Sequence, residues 1–533
     1  MELSVIIINY NVRHFLEQCL ASVRKAAEHN SCEIFVVDNN SADGSCSMVS
    51  MQFPEVRLIR NLNNAGFSAA CNQAIRLSKG KFILLLNPYT VVEEDTFTKC
   101  LSFMREHPDA GALGVKMING NGKLLPESKR ALPTPTTAFF KMSGLAWLFP
   151  KSRLFNRYYL GHLDNSETTE AEIISGAFML IRTEALEKTG LLDESFFMYG
   201  EDIDLSYRLT KAGFKNYYFP GVKIIHYKGE STRKSEINNI VYFYRAMLIF
   251  INKHFGGKGR MSFLFPIRIA IYLRGLITLI KSILRRLMLP VTDAVIIYFL
   301  FIIIIPLWEK FKFGGEYSYP NIFSNLIIPV YAVITLASIL ITGGYKVPSR
   351  IIDVLKGIII GTTIILVIYA LLPQDLRFSR AVIVLGGITA LIIIPLYRIL
   401  LAIAGLRIIQ NPFAGAKRTV IVGDEVGFSN VRKLISAGSM SYTIAGRVSI
   451  NEEDLGADVL GNLEQLKEII RINRIDEVIF STRELSASQI INSMHLLADS
   501  NVTVKIAPFG EKFIIGSNSV SHIKEIYPDE NLS

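Results

Sequence analysis

The first 230 residues alternate short apolar runs with amphipathic helical stretches. The run "LSVIIINY" precedes "HFLEQCLASVRKAAE", and "CEIFVVDNN", "VRLIRN" and "KFILLLNP" continue the series. Strands of a parallel sheet form near-continuous Val, Ile and Leu runs because helices cover both faces of the sheet. The pattern therefore predicts an α/β domain on a mainly parallel sheet. Ligands of such sheets bind beyond the carboxyl ends of the strands, where polar residues follow each run here.

Four later segments are apolar over about the 20 residues that a bilayer-spanning helix needs. They are residues 290–308, 323–344, 351–372 and 381–405. Basic residues gather before the first segment, between the second and third, and after the fourth. The positive-inside rule therefore predicts that both termini are cytoplasmic, in agreement with an even number of spans.

Residues 264–286 form an apolar helical pattern that carries a basic stripe. At 100° per residue, Arg274, Lys281 and Arg285 point within about 40° of one another. A helix of this kind lies in the headgroup plane of a membrane. A fifth membrane span is the alternative, and we favour the interfacial helix because Arg274 would otherwise lie in the middle of the bilayer.

Strand-like and helical runs alternate again from Lys417. The segments "KRTVIVGDEVG", "YTIAGRVSI", "DEVIFSTRE" and "VTVKIAPFG" predict a second, smaller parallel-sheet domain. "GDEVG" lacks the G-x-G-x-x-G spacing, which argues against dinucleotide binding. A nucleotide-sensing or docking role and a purely structural role both stay open. The predicted parts are an α/β domain (1–240), a basic interfacial region (241–288), four transmembrane helices (289–406) and a Rossmann-like α/β domain (416–520).

Composition agrees with a membrane protein. Of the 533 residues, 50% are hydrophobic and 20% charged, and the net charge is +10. A positive balance suits basic loops near an anionic leaflet, or anionic substrates. The sequence has no zinc-finger spacing, basic arm or aromatic RNA-reading signature, so we predict no nucleic-acid partner. Five dispersed cysteines without a C-x-x-C pair indicate reduced cytosolic thiols.

An acidic turn in the stretch "FFMYGEDIDLSYRL" is the strongest candidate for chemistry. Acidic residues are common in the first turn of a helix, which suffices to explain Asp204. Glu201 and Asp202 directly follow Gly200 and a group of aromatic residues. We expect these aromatic residues to be exposed: Phe196, Phe197 and Tyr199. Aromatic surface beside a carboxylate suits sugar stacking next to a general base, and burial raises the pKa of such a carboxylate.

Seven separated motifs resemble those of family 2 glycosyltransferases in order and spacing, most closely the rhamnosyltransferase-like branch that builds bacterial surface polysaccharide. They are "VIIINYN", "VVDNNSADGS", "NNAGFSAACNQAI", "LLLNP", "ISGAFMLIRTEAL", "FFMYGEDIDLSYRLTKAGF" and "IIHYKGES". The resemblance covers about the first 235 residues. It implies a GT-A fold, a nucleotide-diphosphate sugar donor and inversion at the anomeric carbon. It also implies that Asp202 is the general base, with Glu201 as the fallback.

The same resemblance assigns residues around the donor. Asp38 corresponds to the base-reading Asp of the family, although an Asx turn closing its strand is the alternative. Lys228 and Arg233 are assigned to stabilising the diphosphate. The other residues carried over to the nucleotide-sugar site are Tyr10, Asn11, Asn40, Asn64, Gly66, Asn72, Asn87 and Gly176.

This sequence departs from the metal motif of the family at one position. The family has "LNPD", whereas here Tyr89 takes the place of the Asp after Asn87 and Pro88. A tyrosine is a poor substitute for a carboxylate ligand of a hard cation. His226 matches the later metal-side histidine of the family, and Asn87 is the other candidate ligand. Three alternatives follow: weak Mg²⁺ or Mn²⁺ binding, diphosphate stabilisation by Lys228 and Arg233 without a metal, or a damaged site. We favour an active enzyme because the other motif residues are present.

Residues 290–515 resemble the four-span head and Rossmann-like domain of polyprenyl-phosphate sugar-phosphate transferases. The carrying segments are "GGYKVPSRIIDVLKGIIIGTTII", "FSRAVIVLGGITALIIIPLYRILL" and "KRTVIVGDEVG". The catalytic domain that follows in that family has no counterpart in the sequence, so we do not expect its chemistry.

The sequence as a whole predicts an α/β protein with a GT-A domain, four transmembrane helices and a smaller Rossmann-like domain. We expect an enzyme of the bacterial inner (cytoplasmic) membrane that transfers sugar from a nucleotide-diphosphate donor to a polyprenyl-pyrophosphate-linked glycan. A processive synthase is disfavoured because neither Trp147 nor Trp308 follows an arginine, as the signature of processive members requires. A catalytically degenerate scaffold or regulator is the other alternative.

Overall fold

The computed structural model describes residues 1–134, 136–137, 140, 144–227, 236–255, 260–315, 318–347, 349–374, 377–404, 417–437, 442–450, 454, 456, 458–500, 502–511 and 513–516. The chain forms two compact units. One comprises Met1–Arg274 and Ala416–Ser533, and the other Gly275–Gly415. The division into four parts stays a prediction. All five cysteines are free thiols.

The amino-terminal domain is built on a nine-stranded sheet of order β3-β2-β1-β4-β8-β6-β9-β5, with β7 paired to β9. Its strands are β1 Leu3–Asn9, β2 Cys32–Asp38, β3 Arg57–Arg60, β4 Phe82–Leu86, β5 Thr90–Val92, β6 Ala110–Ile118, β7 Thr169–Glu170, β8 Phe178–Arg182 and β9 Lys215–His226. Strands β1 to β4 are parallel, whereas β8 runs antiparallel to both β4 and β6. The predicted α/β class is confirmed, and the sheet is mixed.

Helices cover both faces of this sheet. They are α1 Arg13–Ala27, α2 Ser45–Gln52, α3 Phe67–Ile75, α4 Thr96–Glu106, α5 Leu145–Leu148, α6 Thr183–Thr189, α7 Glu201–Lys211 and α8 Glu236–His254. Every residue of β1 is buried, as expected for a central strand with apolar runs on both faces. The parallel register pairs Asn9 with Asp38, so the carboxyl ends of β1 and β2 lie side by side.

A second, six-stranded sheet of order β12-β11-β10-β13-β14-β15 forms the carboxy-terminal domain. It consists of β10 Lys417–Val422, β11 Tyr442–Ser449, β12 Val459–Asn462, β13 Glu477–Ser481, β14 Thr503–Ala507 and β15 Ile515–Gly516. Only the pairing of β15 is antiparallel among its described strands. The connecting helices are α13 Glu425–Ala437, α14 Leu466–Asn473 and α15 Ala487–Leu496. The second predicted sheet domain is confirmed.

The two sheet domains pack together within one unit. The carboxylate of Glu94 accepts hydrogen bonds from the backbone N–H groups of Ala487 and Ser488, at 2.6 and 3.2 Å. These N–H groups belong to the first turn of α15, where an anion is favoured by the helix dipole. Lys223 donates to Asn492 of the same helix at 2.9 Å. An apolar cluster joins residues of both domains, including Phe15 and Val420.

The other unit contains helices long and apolar enough to cross a membrane. The candidate spans are Arg286–Phe313, Phe323–Ile341, Ile351–Leu371 and Arg380–Ile403. The first belongs to a single 54-residue helix, α9 Arg260–Phe313, so the predicted interfacial helix continues directly into the first span. The others contain α10 Ile328–Ile341, α11 Ile351–Leu371 and α12 Arg380–Ile403. The side chains of Arg274, Lys281 and Arg285 lie outside the described part, and the interfacial position stays a prediction.

A buried ion pair lies inside the four-helix unit. Arg398 and Asp293 are fully inaccessible to solvent, and an Arg398 Nη2 to Asp293 Oδ2 distance of 2.6 Å joins them. The other terminal nitrogen of Arg398 donates to the Gly344 carbonyl and to Ser349 Oγ. Two tyrosine hydroxyls, those of Tyr345 and Tyr397, donate to the Asp293 carboxylate.

Candidate active site

The carboxyl ends of β1 and β2 form a polar turn. Asn9 Nδ2 donates to Asp38 Oδ1 at 2.6 Å, and Asp38 Oδ2 accepts from the backbone N–H of Ser41 at 2.8 Å. Asp38 is almost fully buried. Its carboxylate therefore closes the turn after β2 by bonding the backbone three residues on, whereas an Asx turn bonds the backbone two residues on. The role of Asp38 in reading the nucleotide base stays a prediction.

Two asparagines shape the surface of this turn. Asn11 and Asn40 adopt left-handed backbone conformations with φ of 54° and 65°, which Asn tolerates better than most residues. Asn11 Oδ1 accepts from the Ala42 N–H at 2.8 Å. The side chains of Tyr10 and Asn40 are exposed beside it. This edge therefore presents an aromatic ring and an amide to solvent at the position where parallel sheets bind ligands.

A glycine loop joins this edge to the acidic turn. Gly66 has φ 84° and ψ 173°, a region that is open essentially to glycine alone. A Cβ at Gly66 would lie 2.7 Å from both the ring and the carbonyl oxygen of Phe197. Asn39, directly after β2, donates to the Gly66 carbonyl at 3.2 Å, and exposed Asn64 accepts from the Gly66 N–H. The loop therefore connects the end of β2 to the residues just before Glu201.

We expect Gly66→Ala to destabilise the amino-terminal domain by about 1–3 kcal/mol and to weaken nucleotide-sugar binding. The added methyl group would displace the Phe197 loop. The measurements are the thermal unfolding midpoint and donor affinity. Gly213→Ala is the matched control, because Gly213 also has positive φ but no atom lies within 4 Å of its added Cβ. Equal effects of the two substitutions would show that backbone strain alone is responsible.

The side-chain amide of Asn72 makes its hydrogen bonds within the protein. Its amide donates to the Leu192 carbonyl and to Glu194 Oε1, both at 2.8 Å, and accepts from the Leu192 N–H. Asn72 is also fully buried. The structure therefore gives Asn72 a positioning role for the segment that leads to the acidic turn.

The acidic turn begins α7 after Gly200, whose φ is 85°. Asp204 is fully buried and accepts from Arg208 at 2.8 Å and pairs with Lys253 and His254 at 2.9 and 2.6 Å. These contacts agree with the structural interpretation of Asp204. Of the three aromatic residues, Phe197 is exposed, and its ring centroid lies 5.1 Å from that of Tyr242 with the ring planes tilted by 31°. The prediction for Phe196 is wrong, because its ring is 1% exposed and packs in a small apolar cluster with Ile173.

Asp202 forms the centre of the candidate site. Its Oδ2 accepts from Arg130 Nη2 at 2.6 Å and from the Gly176 N–H at 3.2 Å. The side chains of Asp202 and Arg130 are 14% and 10% exposed. Burial lowers the pKa of Arg130, but the Asp202 carboxylate outweighs burial and the net pKa is raised. Arg130 therefore stays charged beside Asp202.

Glu201 has a contrasting environment. Its side chain is buried, and its Oε2 has no hydrogen-bond partner in the described part of the chain. Burial, and secondly the negative charge of Asp202, raise the pKa of Glu201 to about 8. Glu201 is therefore protonated near neutral pH while Asp202 is paired with a cation. A protonated Glu201 cannot act as the general base at that pH.

The raised pKa of Glu201 predicts a pH-dependent stability. Between the unfolded pKa of 4.5 and the folded pKa of about 8, the folded state retains a proton that the unfolded state has released. Stability therefore falls with rising pH over this interval, by at most about 1.4 kcal/mol per pH unit. Glu201→Gln should remove this fall. The thermal midpoint of the variant, relative to that of the wild type, should therefore rise from pH 5 to pH 8. Parallel pH profiles would contradict the raised pKa.

The residues of the expected metal motif take another role. Tyr89 is buried, and its ring lies 4.9 Å from that of Phe15 in the apolar cluster shared with the carboxy-terminal domain. Asn87 Oδ1 accepts from the Tyr89 N–H at 3.0 Å. His226 ends β9 and pairs with Thr90. The described residues contain no group of three or more His, Cys, Asp or Glu that fits a metal ion. Within the described part of the chain, Tyr89 and its neighbours therefore do not form a site for a divalent cation.

The predicted site residues converge in part. Asn87 donates its backbone N–H to Ala177, the neighbour of Gly176, which in turn binds Asp202. Hydrogen bonds thus connect the carboxyl end of β4 to the acidic turn. The Gly66 loop connects the carboxyl end of β2 to the same turn. Lys228 and Arg233 lie outside the described residues. Arg130 was missed, because a lone arginine in the loop "ESKRAL" carries no signal in one sequence.

Two family models match the chain. Residues 4–190 match Glycosyl transferase family 2, and residues 342–508 match a CoA-binding domain. N-acetylglucosaminyl-diphospho-decaprenol L-rhamnosyltransferase of Mycobacterium tuberculosis (strain CDC 1551 / Oshkosh) is 27% identical over 53% of this chain and 94% of that protein. Rhamnosyltransferase WbbL of Escherichia coli (strain K12) is 22% identical over 43% and 84%. The crystal structure of S. aureus TarS 1-349 aligns at a TM-score of 0.32 with 17% identity, over 45% of this chain and 65% of that one.

The amino-terminal domain is a family 2 glycosyltransferase domain built on a mixed sheet. The protein is a glycosyltransferase that also carries four membrane-span-capable helices and a carboxy-terminal region matching the CoA-binding domain model.

Proposed function

We propose that this protein is a membrane-anchored inverting glycosyltransferase of bacterial surface polysaccharide synthesis. It moves a sugar from a nucleotide-diphosphate donor to a polyprenyl-diphosphate-linked acceptor. The name of the mycobacterial relative supports this acceptor class. Four apolar helices support it as well, since they would hold the transferase domain close to a lipid-linked substrate.

The observation that carries the proposal is the partly exposed Asp202 carboxylate, held by Arg130 and the Gly176 N–H in a family 2 domain. In a single displacement, the acceptor hydroxyl oxygen bonds to the anomeric carbon as the bond to the diphosphate oxygen breaks. The hydroxyl proton passes to Asp202, and the bonding electrons leave with the diphosphate. Arg130 and Gly176 fix the orientation of the carboxylate.

The donor would lie along the edge formed by the β1 and β2 ends and the Gly66 loop. Exposed Tyr10 and Asn40 supply direct contacts, and Asn11 and Asn64 shape the backbone beside them. Asp38 and Asn72 support this edge through the hydrogen bonds already described. Phe197 and Tyr242 offer a partly exposed aromatic surface for the sugar or the acceptor.

Because the residues around Tyr89 do not fit a metal ion, the proposal includes no metal-dependent step. Lys228 and Arg233 would stabilise the leaving diphosphate by charge. We expect turnover to change little when a chelator is added and the protein is passed through a metal-free column. The measurement is initial rate against added Mg²⁺ or Mn²⁺. A steep, saturable metal requirement would contradict stabilisation by side chains alone.

The acceptor is tested with the full chain in lipid nanodiscs. The assay supplies a panel of nucleotide-diphosphate sugars with one glycan acceptor, either linked to polyprenyl diphosphate or free in solution. We expect transfer to the lipid-linked form alone. Equal transfer to the soluble glycan would contradict the polyprenyl-linked acceptor but not the glycosyltransferase activity. Binding of a donor is detected independently, because a ligand of the native state raises the thermal midpoint.

We propose further that the protein resides in the bacterial inner membrane with both termini in the cytoplasm. The distribution of basic residues around the spans supports this orientation. Reporter domains fused to each terminus in turn measure it, using one reporter active only in the cytoplasm and one active only outside. Activity of the external reporter at either terminus would reverse the proposed topology.

A further inference from the structure

One loop of the amino-terminal domain exposes a cluster of large apolar side chains. Trp147 is 82% exposed. Leu148, Phe149 and Leu154 are 59%, 50% and 60% exposed. Elsewhere among the described residues of this domain, exposed side chains of this kind are isolated from one another along the chain. Exposed apolar clusters mark surfaces that contact a partner. We call residues 144–160 the apolar loop.

Hydrogen bonds hold the apolar loop in an ordered conformation. The backbone N–H groups of Trp147 and Leu148 both donate to the Gly144 carbonyl, at 3.0 and 3.1 Å. Buried Asn156 donates its side-chain amide to the Pro150 carbonyl at 2.6 Å. The exposed apolar side chains therefore extend from a hydrogen-bonded turn, and a partner that covers them would remove apolar surface from water.

The apolar loop is also basic. It contains Lys151, Arg153 and Arg157 and no acidic residue. All three basic residues are exposed. Arg157 Nη2 lies 3.6 Å from Glu172 Oε1, whereas Lys151 and Arg153 pair with no carboxylate in the described part of the chain. Tryptophan gathers at the headgroup level of a bilayer, and lysine and arginine are attracted to anionic lipid. The loop therefore has the chemistry of a membrane contact.

We propose that the apolar loop docks on the anionic leaflet of the membrane in which this chain is anchored, with Trp147 at headgroup level and Lys151 and Arg153 against lipid phosphates. The inference rests on the membrane anchoring proposed above. Because the candidate spans belong to the same polypeptide, a bilayer would be tethered to every copy of the loop at a high effective concentration. Docking would give the amino-terminal domain a second attachment at the surface that holds a lipid-linked acceptor.

Tryptophan fluorescence tests the docking, because the chain contains only two tryptophans, Trp147 and Trp308. Trp308→Phe leaves Trp147 as the sole tryptophan of the full chain, which is placed in nanodiscs of lipid brominated near the headgroup end of the acyl chains. Bromine quenches a tryptophan only at close range. We expect strong quenching of Trp147 in anionic nanodiscs. The matched control is Met51→Trp with both native tryptophans replaced by Phe. Met51 is also 82% exposed, and we expect no quenching at its position.

The basic side chains are tested in the same Trp308→Phe background. Lys151→Gln with Arg153→Gln should lower the ratio of docked to free loop by about 30-fold, because two cations no longer face anionic lipid. The matched control is Lys79→Gln with Lys81→Gln, an exposed pair of the same spacing outside the loop, which should leave the ratio unchanged. All four side chains lie at the surface, so both variants should fold.

Trp308 separates failure of the docking from failure of the anchoring, because it lies in the first candidate span. Observed alone in Trp147→Phe, it should be quenched by the same lipid. A quenched Trp308 with an unquenched Trp147 would overturn the docking but not the anchoring or the sugar transfer. An unquenched Trp308 would contradict the anchoring and the docking together. Equal effects of the two charge variants would also overturn the docking. So would a Trp147 shielded from water without lipid quenching, which would assign the loop to a contact with another protein molecule.

Discussion

Replacing Asp202 by Asn is expected to lower sugar-transfer turnover by about 10²- to 10⁴-fold, the range of a general base. The amide has almost the same shape as the carboxylate but cannot accept the acceptor proton. The measurement is turnover at saturating donor and acceptor, with donor affinity measured by thermal shift. In the proposed mechanism Asp202 acts on the acceptor proton and does not contact the nucleotide, so donor affinity should change much less than turnover.

Two neighbouring carboxyl groups serve as controls for Asp202. Glu201→Gln should leave most turnover at neutral pH, because Glu201 is already protonated there. Asp204→Asn should lower stability, because it weakens the buried contacts to Arg208, Lys253 and His254. Loss of turnover in Glu201→Gln but not in Asp202→Asn would assign the base to Glu201. No donor hydrolysis or transfer by the wild type, and no difference in either variant, would favour a scaffold.

The fold could be predicted where the sequence pattern is local. Continuous apolar runs identify β1, β2 and β4 because buried parallel strands need apolar side chains on both faces. The antiparallel placement of β8 could not be predicted, since the same apolar run suits either direction. The continuity of α9 was also missed. The two predicted segments are separated at residues 286–290 by nothing but a change in charge and a proline.

The candidate site, too, could be predicted only where its residues are neighbours in the sequence. Glu201 and Asp202 were found because adjacent residues in one motif define the turn. Arg130 lies 72 positions from Asp202 in the sequence, and Glu94 lies 393 positions from Ala487. Neither contact leaves a periodic or compositional trace. Phe196 was predicted to be exposed but is buried. In an aromatic run next to a site, only the rings that the backbone turns outward are exposed.

Tyr89 illustrates how a departure from a family motif gains a physical explanation from structure. Nothing in the sequence alone explains a tyrosine at this position. In the structure its ring packs on Phe15 within a cluster that includes Val420 and Phe480 of the second sheet. The residue at the expected metal position therefore contributes to the contact between the two sheet domains.

Replacing Arg398 by Leu is expected to destabilise the four-helix unit by about 3–5 kcal/mol. The substitution leaves the Asp293 carboxylate buried with only the two tyrosine hydroxyls as donors, and it also removes the donors to Gly344 and Ser349. Ionisable residues inside a bundle are costly unless they are paired. The measurement is the thermal unfolding midpoint of the full chain in one detergent, with loss of helical signal as the probe.

The double variant Asp293→Leu with Arg398→Leu separates the ion pair from simple packing. Removing both charges together removes the unpaired carboxylate, so the double variant should recover part of the stability that Arg398→Leu loses. The recovery is partial because Tyr345 and Tyr397 lose their acceptor. Arg380→Leu is the matched control, since Arg380 begins α12 with an exposed side chain and should change the midpoint little. If Arg398→Leu were as stable as Arg380→Leu, the buried pair would contribute nothing to the bundle. If the double variant were less stable than Arg398→Leu, the loss would come from packing rather than from the unpaired charge.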